Sequence, residues 1–89
     1  MHSFYVYMIQ SKKDQSIYTG ITNDLDKRLE KHNNGTGAKY TKNRGPFVLI
    51  WNMECPNRST ASKLESAIKN FSHDEKLNFA KINTLKIIK

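Results

Sequence analysis

Two short runs dense in aromatic and β-branched residues, Phe4 to Gln10 and Ser16 to Thr22, are separated only by the polar stretch Ser11 to Asp14. Such residues suit a pleated, half-buried surface, and a short polar break between two such runs marks a β-hairpin. A hairpin alone is marginal in water, so the remaining apolar segments must pack against it. With a four-residue loop Tyr7 would lie opposite Tyr18 on one face, whereas a slip of one residue would send them to opposite faces.

The rest of the chain supplies those covering segments. Asn23 can cap a helix whose first turn carries Asp24 and Asp26 and which runs to about Asn34, with Gly35 as its stop. Phe47 to Trp51 is a continuous apolar run, expected of a strand covered on both faces. Pro56 to Arg58 read as a turn, Ser59 or Thr60 opens a second helix ending near Phe71, and Ser72 with Glu75 forms a capping box for a third ending near Asn83. The order β, β, α, β, α, α predicts an α+β fold, a three-stranded antiparallel or mixed sheet flanked by helices. A chain of 89 residues has room for one modest core. We therefore expect one domain over residues 1–83 and a short stretch, 84–89, that reads as a frayed strand or a basic tail.

Fifteen Lys and Arg against eight Asp and Glu give a formal charge of +7, which favours polyanions, nucleic acid ahead of a membrane surface. The single cysteine, Cys55, excludes an intrachain disulfide and a Cys-rich metal site and suits a reducing compartment. Phe4 to Ile9 is short for a signal-peptide core and far too short for a membrane span, so a soluble, cytoplasmic protein with no membrane partner is expected.

Charge also stands where apolar residues belong. Leu25 and Leu29 mark the core stripe of the first helix, and Arg28 and His32 complete it at helical spacing. In the second helix Ala61, Leu64, Ile68 and Phe71 define the buried side, and Glu65 shares that stripe. Such groups are costly to desolvate without partners. One reading is a structural ion pair, Arg28 or His32 with Glu65. The other is a cleft over the hairpin where Arg, His, Glu and the phenols of Tyr7 and Tyr18 converge on a ligand. Spacing leaves both open. The segment Gly35 to Pro46 reads as an exposed basic loop, in which Lys39, Tyr40, Thr41, Lys42 and Arg44 could hold phosphates while an aromatic ring stacks on a base.

Tyr5-Val6-Tyr7, Tyr18-Thr19-Gly20, Asn23-Asp24-Leu25 with Arg28 and His32-Asn33, and then Glu65 together resemble the GIY-YIG nuclease superfamily. Gly37-Ala38-Lys39-Tyr40-Thr41, Arg44-Gly45-Pro46 and Ile68-Lys69 bring the chain nearer to its small stand-alone, UPF0213-like subfamily. The resemblance spans Phe4 to about Leu77. Tyr5 stands in place of the first glycine and Thr19 in place of the middle isoleucine of the name-giving motifs.

The resemblance implies a metal-dependent endonuclease that hydrolyses phosphodiester bonds of DNA. Glu65 would hold Mg²⁺ or Mn²⁺, Arg28 would contact the scissile phosphate, and His32 would orient it or move a proton. Tyr18 or Tyr7 would activate the attacking water, although a phenol of ordinary pKa, ~10, is a poor base at neutral pH. Lys39, Tyr40, Thr41 and Arg44 would bind substrate, with Asn78 as an auxiliary at the metal site. The chain carries no added DNA-recognition domain, so little sequence preference is expected. Single-stranded, branched or duplex DNA are the substrate forms, RNA stands beside them, and repair or recombination is the implied setting. The competing readings are a nucleic-acid-binding module without chemistry and an interaction protein with a buried ionic network.

Overall fold

The computed structural model describes residues 3–88; Met1, His2 and Lys89 lie outside them. Strands β1 (Phe4–Ser11) and β2 (Ile17–Thr22) form the hairpin, followed by helix α1 (Leu25–Asn33), strand β3 (Phe47–Cys55), and helices α2 (Arg58–Lys69) and α3 (His73–Ile88). The sheet is antiparallel in the order β2-β1-β3. α1 continues from β2 into one layer, and α2 and α3 form the other.

Hairpin register decides where the phenols go. Tyr7 pairs with Gly20, and Ile9 with Tyr18. The offset from a direct Tyr7–Tyr18 pairing is two residues, and a shift of two preserves the face. Both tyrosines therefore share one side as diagonal neighbours, their ring centroids 6.3 Å apart.

The strand covered on both faces is β1, which buries Val6, Tyr7, Met8 and Ile9 in succession, and not β3. β3 is an edge strand with Val48, Leu49 and Met53 exposed. Its apolar run has a different origin. A bulge between Met8 and Ile9 shifts the pairing from Met8–Trp51 to Ile9–Leu49, leaving Ile50 as the extra residue. One extra residue reverses the alternation. Trp51 thus packs with Val6, Met8, Ala61 and Ile68 in the α2/α3 layer, whereas Phe47, of the same parity, packs with Tyr7 and Ile9 beneath Leu25 and Leu29 of α1.

The caps explain the small displacements of the helix ends. Asp24, rather than Asn23, accepts the Lys27 N–H and caps α1. Asn57 accepts the Thr60 N–H, so α2 opens at Arg58 and closes at Lys69. The capping box of α3 forms as expected: Glu75 Oε1 accepts the Ser72 N–H at 2.7 Å, and Ser72 Oγ accepts the Glu75 N–H at 3.1 Å. Phe79 of α3 meets Trp51 edge-on, with centroids 5.0 Å apart, which fixes this helix to the sheet. α3 continues past Asn83 to Ile88, so 84–88 of the stretch read as a strand or tail extend the helix, and Lys89 lies outside the described residues. Among the described residues no helix is long and apolar enough to cross a membrane.

Candidate active site

The site begins with the two glycines that let rings approach backbone. Gly20 faces Tyr7 across the hairpin, and a Cβ there would lie 2.7 Å from the Tyr7 hydroxyl and 3.0 Å from the Tyr18 ring. A Cβ on Gly37 would lie 2.5 Å from His32 Nδ1. Only hydrogen fits at either position, so the Tyr7 phenol lies over β2 and the loop closes against the imidazole.

His32 is 1% exposed, Tyr7 2%, and Thr41 is fully buried. The Tyr7 hydroxyl lies 2.8 Å from His32 Nε2, and His32 Nδ1 lies 2.8 Å from Thr41 Oγ1. Thr41 donates its own hydroxyl proton to the Ala38 carbonyl at 3.0 Å. With that proton committed, Nδ1 must carry the imidazole hydrogen and Nε2 must accept from Tyr7. Burial, with the Arg28 charge behind it, pushes the His32 pKa down to about 4 and keeps the ring neutral. The chain from Tyr7 through His32 and Thr41 to Ala38 is thus a fully satisfied buried relay. Thr41, expected at the substrate, faces His32, and both His32 nitrogens are engaged within the fold.

Arg28 projects from α1 towards both phenols, and its interaction with Tyr7, ahead of Tyr18, raises its pKa further. Tyr7 experiences opposing effects. Burial raises its pKa and the Arg28 contact lowers it, with a net value of about 12, and the Glu65 carboxylate adds to the rise. Tyr18 is only half-buried; its ring lies 5.0 Å from that of His32 and stacks on Tyr40 at 5.9 Å and 26°.

Glu65 approaches from the other layer. α2 packs on the Val6–Met8 side of the sheet and α1 on the Tyr7–Ile9 side, so Arg28 and Glu65 do not form the ion pair weighed from the sequence. Glu65 pairs with Lys69 at 3.2 Å, and its side chain is 19% exposed. What joins it to the cluster is its field at the Tyr7 phenol. Among the described residues no three His, Cys, Asp or Glu side chains gather as a metal cage. A single carboxylate, 19% exposed and paired with Lys69, nevertheless fits Mg²⁺, which is commonly held by one or two carboxylates and takes its other ligands from water and phosphate.

The match to known proteins follows the same residues. Positions 3–78 match the model of the GIY-YIG catalytic domain. The chain belongs to the GIY-YIG family. UPF0213 protein CPE1444 of Clostridium perfringens is 43% identical over 92% of this chain and 87% of its own length. UPF0213 protein SSP2268 of Staphylococcus saprophyticus is 47% identical over 86% of this chain and 93% of its own. The solution structure of the protein EF2693 from E. faecalis superposes with a TM-score of 0.65 at 36% identity, covering 96% of this chain and 93% of that one. That of UPF0213 protein BH0048 from Bacillus halodurans gives 0.58 at 40% identity over 90% and 84%.

Within this GIY-YIG chain the remaining expected residues divide. Tyr40 is 46% exposed and Lys39 is exposed, both available to a ligand. Arg44 donates to Asp14 at 2.7 Å and lies 4.7 Å over the Tyr40 ring, so it orients the stacking residue from behind. Hydrogen bonds from Ser16 hold the Asp14 carboxyl well below the usual carboxylate range. Asn78 is exposed on α3 and bonds to none of the cluster among the described residues. Sequence reasoning passed over Gly37 and Ala38 as working parts, since the tight approach of Gly37 to His32 and the turn that engages Thr41 are formed only once the loop folds back.

Proposed function

We propose that this chain is a metal-dependent endonuclease that hydrolyses phosphodiester bonds of DNA, in keeping with a superfamily of endonucleases. The observation that carries the reading is the convergence of Tyr7, Tyr18 and Arg28, with the Glu65 charge acting on the same phenol.

Arg28 is assigned the scissile phosphate. A guanidinium beside two phenols offers charge-assisted donors to a phosphoryl oxygen and to the extra negative charge of a five-coordinate transition state. Tyr18 is assigned the attacking water. Tyr7 donates its proton to His32 and is held near 12 by burial, so its phenol keeps that proton and positions Arg28 instead. His32 is a positioning residue that fixes Tyr7. Glu65 would hold Mg²⁺ or Mn²⁺, and the bound ion would supply neutralisation of charge at the leaving oxygen. Lys39 and Tyr40 are assigned to the strand flanking the cut, with Arg44 supporting Tyr40.

The substrate form that suits this surface is single-stranded or branched DNA with little sequence preference, acted on in the cytoplasm during repair or recombination. The test is cleavage of labelled single-stranded, branched and duplex DNA and of an RNA, with Mg²⁺, Mn²⁺ or EDTA. Wild-type protein should cut with metal and not with EDTA, and Arg28→Ala and Glu65→Ala should abolish cutting while leaving the fold intact. Binding without cleavage by wild-type protein would reduce the chain to a nucleic-acid-binding module.

A further inference from the structure

The open edge of β2 carries a groove that Tyr18 and Tyr40 border and whose lysine side the chemistry above does not use. Tyr18, with Tyr40 stacked on it, lines one side, and Lys69 of α2 and Lys76 of α3 line the other, with Ile17 and Thr19 between them. The space is about 320 Å³. Because β2 is an outer strand, residues from both faces of the sheet meet around it.

Two features of the groove await an anion. Lys69 and Lys76 stand close enough for burial, and then the charge of Lys69, to hold the Lys76 ammonium below its ordinary pKa. Lys76 has no ion-pair partner among the described residues, and Lys69 has only Glu65. The Thr19 hydroxyl is buried and lacks a hydrogen-bond partner among the described residues. This is the position where the chain departs from the isoleucine of the family motif, and its hydroxyl lies beneath the groove rather than open to it. Lys76 is half-buried and without a carboxylate partner among the described residues, while Lys69 beside it is exposed and paired with Glu65, so the lysine side of the groove keeps a positive charge that an anion would offset. An aromatic plate beside them is the recurrent accompaniment of a strand backbone whose bases are unstacked.

We propose that this groove is a second nucleotide subsite, in which Lys69 and Lys76 hold a backbone phosphate next to the scissile one and the exposed edge of the Tyr18–Tyr40 pair packs against the attached base. The assignment rests on the nuclease reading and names its substrate more closely, as an unpaired strand led from Arg28 and Tyr18 around the β2 edge.

The probe is a fluorescent oligothymidylate of about 12 nucleotides, within the span bound by small single-strand-binding folds. Its binding is followed by anisotropy in EDTA over a range of salt. Lys76→Gln should weaken binding severalfold and reduce the slope of log affinity against log salt by about 0.7, the share of one single-strand phosphate contact. Lys69→Gln should do the same. Lys81→Gln, exposed on α3 and outside the groove, should leave the slope as in wild type. In the presence of metal the loss in Lys76→Gln should appear in KM. Equal slopes for Lys76→Gln and Lys81→Gln, or an unchanged KM in a protein that cuts, would overturn the subsite and leave the nuclease standing. A groove-dependent slope in a protein that never cuts would support the subsite and sink the nuclease reading.

Discussion

Acidification should destabilise this protein through His32. The imidazole titrates at an ordinary 6.5 in the unfolded chain and at about 4 in the fold, where burial opposes its charge. A group whose folded pKa is depressed contributes stability that is fully present above 6.5 and is lost as pH falls towards about 4, because only the unfolded chain takes up the proton in that window. The shift corresponds to ~3 kcal/mol. The slope cannot exceed ~1.4 kcal/mol per pH unit for one proton. Urea unfolding followed by the fluorescence of buried Trp51 measures it, with His32→Asn as the reference. The difference between the two proteins should shrink as pH drops through the window, and NMR titration of the ring should give a pKa well under 6.5. A His32 ring that titrates normally, or a difference indifferent to pH between 6.5 and about 4, would refute the buried relay. Asp14 lies outside the window, since Ser16 holds its pKa below the usual carboxylate range.

The other predictions concern the phenols and the surfaces they touch. Tyr18→Phe should lower the cleavage rate by about 10²–10⁴ with little change in stability, the span typical of a lost general base. Tyr7→Phe should destabilise by about 1–3 kcal/mol, because His32 Nε2 loses its buried donor, and its unfolding midpoint should fall where that of Tyr18→Phe does not. Gly20→Ala should cost about 1–3 kcal/mol and lower cleavage, since the new methyl would overlap the Tyr7 hydroxyl; an unchanged urea midpoint would show that the ring has room to move. Tyr40→Ala should weaken binding of a single-stranded oligonucleotide by about 1–3 kcal/mol, seen by anisotropy at fixed salt.

How much of this was legible depended on range. Hairpin, helices and the α3 capping box follow from spacings of a few residues, and these appear where local pattern places them. The cap of α1 moved by one residue because Asn23 and Asp24 are both good caps, and only the fold of the β2–α1 turn selects between them. The Phe47–Trp51 run was misread because a bulge at Ile50 exchanges faces, and a continuous apolar pattern looks the same for a bulged edge strand and a buried central one. The grouping of Tyr7, Tyr18 and Arg28 was visible as charge on a core stripe beside a hairpin face. The burial of Thr41 against His32 was hidden, since a loop with no period gives no sign of which residue folds inward.

The layer arrangement accounts for the unequal environments of the two tyrosines and underlies the different duties proposed for them. β1 is central, so Tyr7 is enclosed, its hydroxyl is committed to His32, and its phenol is held near 12. β2 is an edge, so Tyr18 keeps contact with the outside while sharing Arg28 with Tyr7. Arg28 descends from one face of the sheet and Glu65 from the other, and groups on opposite faces can act on one phosphate only where the sheet ends. A fourth strand added beside β2 would leave every side chain of the cluster in place and still separate the two layers. Blocking that edge should therefore silence cleavage without unfolding the protein, as the proposal that the unpaired edge of β2 belongs to the site requires.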